Sequence, residues 1–140
     1  MGSRETTTLA RRLALLGAAL MMAGCAGMAG GGTKEQIVRQ RATERAEAHA
    51  KGDFERSYAL TAPSYRKVRD LAAYRRGFGS GAAWQKAEVT NVVCEEQRCK
   101  VSLKVGVKPL IPGMFNDTIT VQFEETWLLE DGNWWLHQAL

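Results

Sequence analysis

Residues 127–136 read WLLEDGNWWL. Asp131-Gly132 sits between two apolar runs, and Asp-Gly there is a strong hairpin signal, because both residues tolerate the positive φ of a tight turn. Before the turn, Ile119, Val121, Phe123, Trp127 and Leu129 recur at every second position, with Glu125 the odd member. After it come Trp134-Trp135-Leu136-His137. Upstream, Cys99, Val101, Leu103, Val105 and Val107 alternate with Lys100, Ser102, Lys104, Gly106 and Lys108, the period of a half-buried strand. Period two begins at Trp84. From there to the end the chain reads as antiparallel strands, with Pro109 to Asn116 as the longest loop.

The first part has another rhythm. Residues 34–51, KEQIVRQRATERAEAHAK, are rich in good helix formers. Ile37, Val38, Ala42, Ala46 (or Arg45), His49 and Ala50 recur at spacings of three and four. Thr33 is the expected N-cap, and Gly52-Asp53 the stop. A second helix follows Asp53 over FERSYALTA, with Phe54, Tyr58 and Leu60 or Ala59 inward. A third is expected from Pro63 or Ser64 to about Phe78, with Val68, Leu71, Tyr74 and Phe78 inward. GFGSGAA, residues 77–83, reads as a loop. Helices first and antiparallel strands after imply an α+β domain with helices packed on one face of a curved sheet.

A helix containing AxxxGDFERSYALTAPSYR, a further short helix and then meandering strands ending in WLLEDGNWWL together resemble the nuclear transport factor two-like superfamily. The resemblance covers about residues 34–140. It implies a cone-like fold with a strongly bent sheet, whose face is a common dimer contact. Enzymes of the superfamily, ketosteroid isomerases and SnoaL-type polyketide cyclases, use a carboxylate inside the cone. No residue here matches their catalytic acid, and Asp53 reads as an N-cap.

The N-terminal stretch LALLGAALMMAGC, residues 13–25, speaks to address. Its apolar run is about ten residues, half of what a membrane span needs. Arg11 and Arg12 precede it and small residues follow, the pattern of a secretory signal peptide. Met22-Ala23-Gly24-Cys25 resembles the lipobox of bacterial lipoproteins, with Met where Leu is usual. The resemblance implies cleavage before Cys25, a diacylglycerol thioether on it, and an acyl chain such as palmitate on its amine. The expected division is signal peptide 1–24, flexible tether 25–32 and folded domain 33–140. In a Gram-negative host, Ala26 in second place favours the outer membrane, facing the periplasm. The Arg11-Arg12 pair leaves general and twin-arginine export both open. The whole chain carries a formal charge of +4, and losing the signal's three arginines and one glutamate leaves about +2. That is too mild to argue for nucleic acid.

Cys94 and Cys99 flank four residues, an ordinary hairpin loop. A disulfide, free thiols, and a redox or metal role are the alternatives. An exported domain permits the disulfide, and no His or Cys cluster supports zinc. If the two cysteines face each other, Val92 shares their face, whereas Ala87 and Val89 look inward from the other parity. A bulge near Asn91 reconciles them.

The chemistry-bearing residues are few. Glu125, at an inward position of an apolar strand, is the weak catalytic candidate, since burial would raise its pKa and suit acid–base work. The plainer reading is a register shift there or a pairing with an arginine at the rim. His49 and His137 read as surface or satisfied core residues. Trp134 and Trp135 point to opposite faces, so one lies off the core face and is a candidate binding surface. Arg75 and Arg76, with Arg66, Lys67 and Arg69, form a basic group for a partner or a solvated face. No nucleotide loop, metal motif or Ser-His-Asp order appears, so no cofactor is expected. The reading is a lipid-anchored, non-catalytic binding or structural domain. It would receive a protein partner, a second copy or a small apolar ligand. An isomerase or cyclase using Glu125 and an accessory subunit of an envelope assembly are the alternatives.

Overall fold

The computed structural model describes residues 32–78, 82–109 and 117–140. The signal peptide, Cys25, the tether up to residue 31, the middle of the glycine loop at 79–81, and residues 110–116 with Phe115 lie outside the described residues. Gly31–Leu140 forms one compact unit, which holds every described element and the hydrophobic core. Among the described residues no helix is long and apolar enough to cross a membrane.

Helix α1 runs from Lys34 to Ala50. Its start is a capping box: Gln36 N donates to Thr33 Oγ1 at 3.3 Å and Thr33 N to Gln36 Oε1 at 2.9 Å, satisfying two otherwise orphaned donors. Its end turns at Gly52, φ +74°, a left-handed position that glycine occupies without steric cost. There Gly52 N bonds His49 O and Asp53 N bonds Ala48 O. Asp53 then caps α2, Phe54–Ala59, accepting from Arg56 N at 3.1 Å.

The expected third helix is two. Helix α3 spans Pro63–Arg66 and α4 spans Leu71–Gly77. Asp70 makes the break, since its side chain accepts from Ala73 N at 2.7 Å and starts a new helix. An aspartate offers the backbone this local alternative to continuing a helix. Tyr58 Oη holds the interruption, donating to Arg69 O at 2.7 Å. Val68, expected inward, lies in the break and is 62% exposed.

The sheet is a four-stranded antiparallel meander in the order β1-β2-β3-β4, comprising Ala82–Cys94, Arg98–Pro109, Ile119–Glu130 and Asn133–Leu136. Bulges interrupt β1 between Trp84 and Lys86 and between Val89 and Asn91, the second where parity required it. At the Asp131-Gly132 turn φ is 52° and 76°, the left-handed pair that this hairpin demands. Segment 60–62 pairs along the outer edge of β4: Leu136 N donates to Leu60 O and Ala62 N to Leu136 O.

The core lies between α1 and the concave face. Val38, Ala42 and Ala46 meet Val92, Cys99, Val101, Leu103, Val105, Trp127, Trp134 and Leu136. The inward parity of β3 holds, but its two ends are uncovered. Ile119, Val121 and Leu129 are 44%, 39% and 37% exposed, because α1 packs chiefly on β1 at the opposite side of the sheet.

Cys94 and Cys99 face each other at the end of the first hairpin and form a disulfide. Beside it, Lys34 Nζ donates to Glu95 O at 3.2 Å and Leu129 N to Gln97 O at 3.0 Å. The closed loop is short, so reduction is expected to lower the unfolding free energy by about 2 kcal/mol. Urea titrations with and without reductant measure it. An unchanged midpoint would mean that the flanking contacts hold the hairpin without the bond.

Candidate functional site

Arg45 and Glu125 are the two charged residues that α1 and β3 direct into the core. Arg45 follows Val38 and Ala42 along the buried stripe of α1, and Glu125 lies between Phe123 and Trp127 on the concave face of β3. Their side chains are 2% and 6% exposed and form an ion pair through Arg45 NH1 and Glu125 Oε1. The second carboxylate oxygen, Oε2, accepts from Trp127 Nε1 at 3.2 Å. Both oxygens are therefore engaged. Burial pushes the Glu125 pKa up, and Arg45 with the Trp127 hydrogen bond works against that shift.

An aromatic group surrounds the pair. The Arg45 guanidinium lies 5.2 Å from the Trp84 ring centre and 5.8 Å from that of Phe78, within cation–π reach. His49, one turn further along α1, touches three rings: Trp84 at 4.3 Å, Phe78 at 4.5 Å and Phe54 at 5.2 Å between centroids. Trp84 also packs against Phe123 at 5.4 Å. Burial and, secondarily, the Arg45 charge lower the His49 pKa to about 4, so its ring is neutral near pH 7. Its Nδ1 is buried with no hydrogen-bond partner among the described residues. Below this group, Ser57 and Tyr74, both fully buried, share a hydrogen bond of 2.6 Å between hydroxyls.

Several expected site residues fall elsewhere. Trp134 is a core residue at 6% exposure, which removes it from any docking surface. Trp135 is half-buried, beneath the guanidinium groups of Arg41 and Arg66. Arg75 pairs with Glu55 on the surface, Arg76 is exposed, and so is His137. Glu125 meets an arginine, as the plainer reading held, but deep in the core and not at a rim. Arg45 appeared in the sequence only as an alternative to Ala46 on the inward face of α1, and its pairing with Glu125 went unread. Its signal was present: one cation in the apolar stripe of a helix and one anion in the apolar parity of a strand are each costly alone and match as a pair.

The neutral His49 has a consequence for stability. Its folded pKa lies below its ordinary 6.5, so the unfolded chain takes up a proton first as pH falls. Its contribution is present above pH 6.5 and is lost as pH drops toward 4. In thermal unfolding across that window, His49→Phe is expected to show a shallower loss of stability than the parent. Parallel profiles would place the imidazole in water.

No protein-family profile matches this chain, and no curated protein does. Solved structures do match. A SEC-C motif containing protein from Rhodopseudomonas palustris aligns with a TM-score of 0.53 at 16% identity, over 75% of either chain. One from Psychrobacter arcticus aligns with a TM-score of 0.56 at 15% identity, over 74% of this chain and 60% of that one. An NTF2-like protein from Cytophaga hutchinsonii aligns with a TM-score of 0.52 at 20% identity, over 75% of this chain and 93% of that one. At such identities the likeness concerns the fold alone, and the fold is the cone-like α+β arrangement of NTF2-like structures.

Proposed function

We propose that the chain is an exported lipoprotein, held by lipid on Cys25 at the bacterial envelope. We place it at the outer membrane facing the periplasm, with its domain binding a small apolar ligand without catalysis. The observation that carries the non-catalytic reading is the state of Glu125. A general base must reach the proton it takes from substrate. Here the Glu125 carboxylate is buried, ion-paired with Arg45 through one oxygen and bonded by Trp127 Nε1 at the other. His49, the other titratable group of the cluster, is enclosed by rings, with its Nδ1 sealed.

The ligand class follows from what remains open. Phe78, Trp84 and Phe123 are half-buried, and Val121 and Ile119 continue their apolar surface along β3. Rings that are partly wet and mutually packed suit an apolar guest. The anchor rests on Met22-Ala23-Gly24-Cys25, and the disulfide agrees with an oxidising compartment. The runner-up is an isomerase- or cyclase-like enzyme, favoured by the raised pKa of Glu125.

Two measurements test this. Protein exported in a bacterial host is expected to fractionate with membranes and carry the mass of the lipids on Cys25, and Cys25→Ser is expected to be soluble. An unmodified mature mass would end the anchor reading. Native mass spectrometry of residues 31–140 made in a periplasm is expected to show extra mass that denaturation releases and Trp84→Ala diminishes. A bare protein would overturn the ligand reading and turn attention to protein partners.

A further inference from the structure

A second site lies away from the cone's interior. Trp135 in β4 is fixed at its indole nitrogen, where Nε1 donates to Glu130 O at 3.0 Å. Two cations lie on this one ring: the guanidinium of Arg41, from α1, at 4.6 Å from its centre, and that of Arg66, from α3, at 5.1 Å. The two guanidinium carbons can therefore be no farther apart than those two distances together. Each arginine alone would be an ordinary cation–π contact. Two on one indole bring like charges near enough for the charge of Arg66 to act on Arg41.

The neighbouring anions are bonded to other groups. Glu44, the nearest acidic influence on Arg41, is held by Arg56 through Nε at 3.1 Å and NH2 at 3.0 Å. The Glu130 carboxylate accepts from Ser64 N at 3.1 Å and Ser64 Oγ at 2.9 Å. Among the described residues neither Arg41 nor Arg66 makes an ion pair. Their Nε atoms are buried without partners. What each arginine still offers is the pair of terminal nitrogens at its tip, pre-positioned by the guanidinium's contact with the indole. Burial holds the Arg41 pKa below its ordinary value against the opposing charge of Glu44, and the charge of Arg66 adds a smaller push in the same direction as burial.

Unpaired guanidinium tips on one platform select an oxyanion with acceptors on several sides. A carboxylate presents two oxygens in one plane, whereas a phosphate presents oxygens in all directions and spans two arginines. We infer that Arg41 and Arg66, stacked on Trp135, form a binding site for a phosphate group. This inference is independent of what the cone holds. The phosphate can arrive free or as a lipid headgroup, and both are within the chemistry of a membrane-tethered domain.

The test uses residues 31–140 at constant ionic strength. Inorganic phosphate is titrated in one arm and phosphatidylglycerol vesicles in the other. Binding is followed by calorimetry and by the Trp135 indole N–H signal, assigned with Trp135→Phe. Saturable binding is expected in at least one arm, weakened about tenfold or more by Arg41→Gln and by Arg66→Gln, since each removes charge-assisted hydrogen bonds. Binding in the phosphate arm identifies a free phosphate. Binding in the vesicle arm alone identifies a headgroup. Arg66→Lys keeps the charge and most of the stem, and its weaker binding would report the lost fork if the glutamine variants fold poorly. Absence of binding in both arms, or binding that neither arginine variant changes, would overturn the site.

Discussion

The buried pair of Arg45 and Glu125 sets the terms for the rest of the domain. Helix α1 packs chiefly on β1, at one side of the sheet. Glu125 lies two strands away on β3. Only a long side chain spans that distance, so Arg45 ties the helix to the far half of the cone. Taking both charges out of water costs several kcal/mol per ion, and their mutual attraction recovers this only with good geometry and every polar atom engaged. The Trp127 indole supplies the missing donor to the second carboxylate oxygen. Arg45 Nε has no partner among the described residues, and its guanidinium lies within cation–π reach of Trp84 and Phe78.

This pair also dictates the chemistry of the interior. Burial, and secondarily the Arg45 cation beside it, discourages protonation of His49, so the cluster contains one ion pair and a neutral imidazole among rings. Such a cluster is largely committed to its own contacts. It lines one end of an apolar surface that continues over Phe123 and Val121 to Ile119. The same commitment appears lower down, where Ser57 and Tyr74 satisfy each other. The interior polar groups are mostly spent on specifying one arrangement of helix and sheet, which leaves the half-buried rings of Phe78, Trp84 and Phe123 as the partly wet part of the cluster.

The sheet was legible because its residues alternate without competition. The period-two run of β2, the bulge forced by Cys94 and Val89 parity, and the Asp131-Gly132 turn all follow from side-chain geometry that repeats along a strand. Caps were legible for the same local reason, as at Thr33 and Asp53. The break at Asp70 was not. Val68, Leu71 and Tyr74 keep a helical spacing across it, and the decision falls to one side chain that bonds Ala73 instead of leaving the helix intact. The exposure at Ile119 and Val121 was equally hidden, since periodicity names a face but not what covers it. The site was half legible: Glu125 stood out, but its partner lies 80 residues earlier, and the apolar stripe of α1 offered Ala46 as an equal alternative to Arg45.

The central claim is that Arg45 and Glu125 are coupled structural partners and not a catalytic base with a bystander. A double-mutant cycle over Arg45→Met and Glu125→Leu, read by denaturant unfolding of residues 31–140, tests it most directly. Each single change should cost about 3–5 kcal/mol, because it leaves one charge buried alone, whereas the double change should be close to neutral or stabilising. Additive losses, with the double variant the least stable of the four, would contradict the pairing and return Glu125 to the list of groups free to act on a substrate.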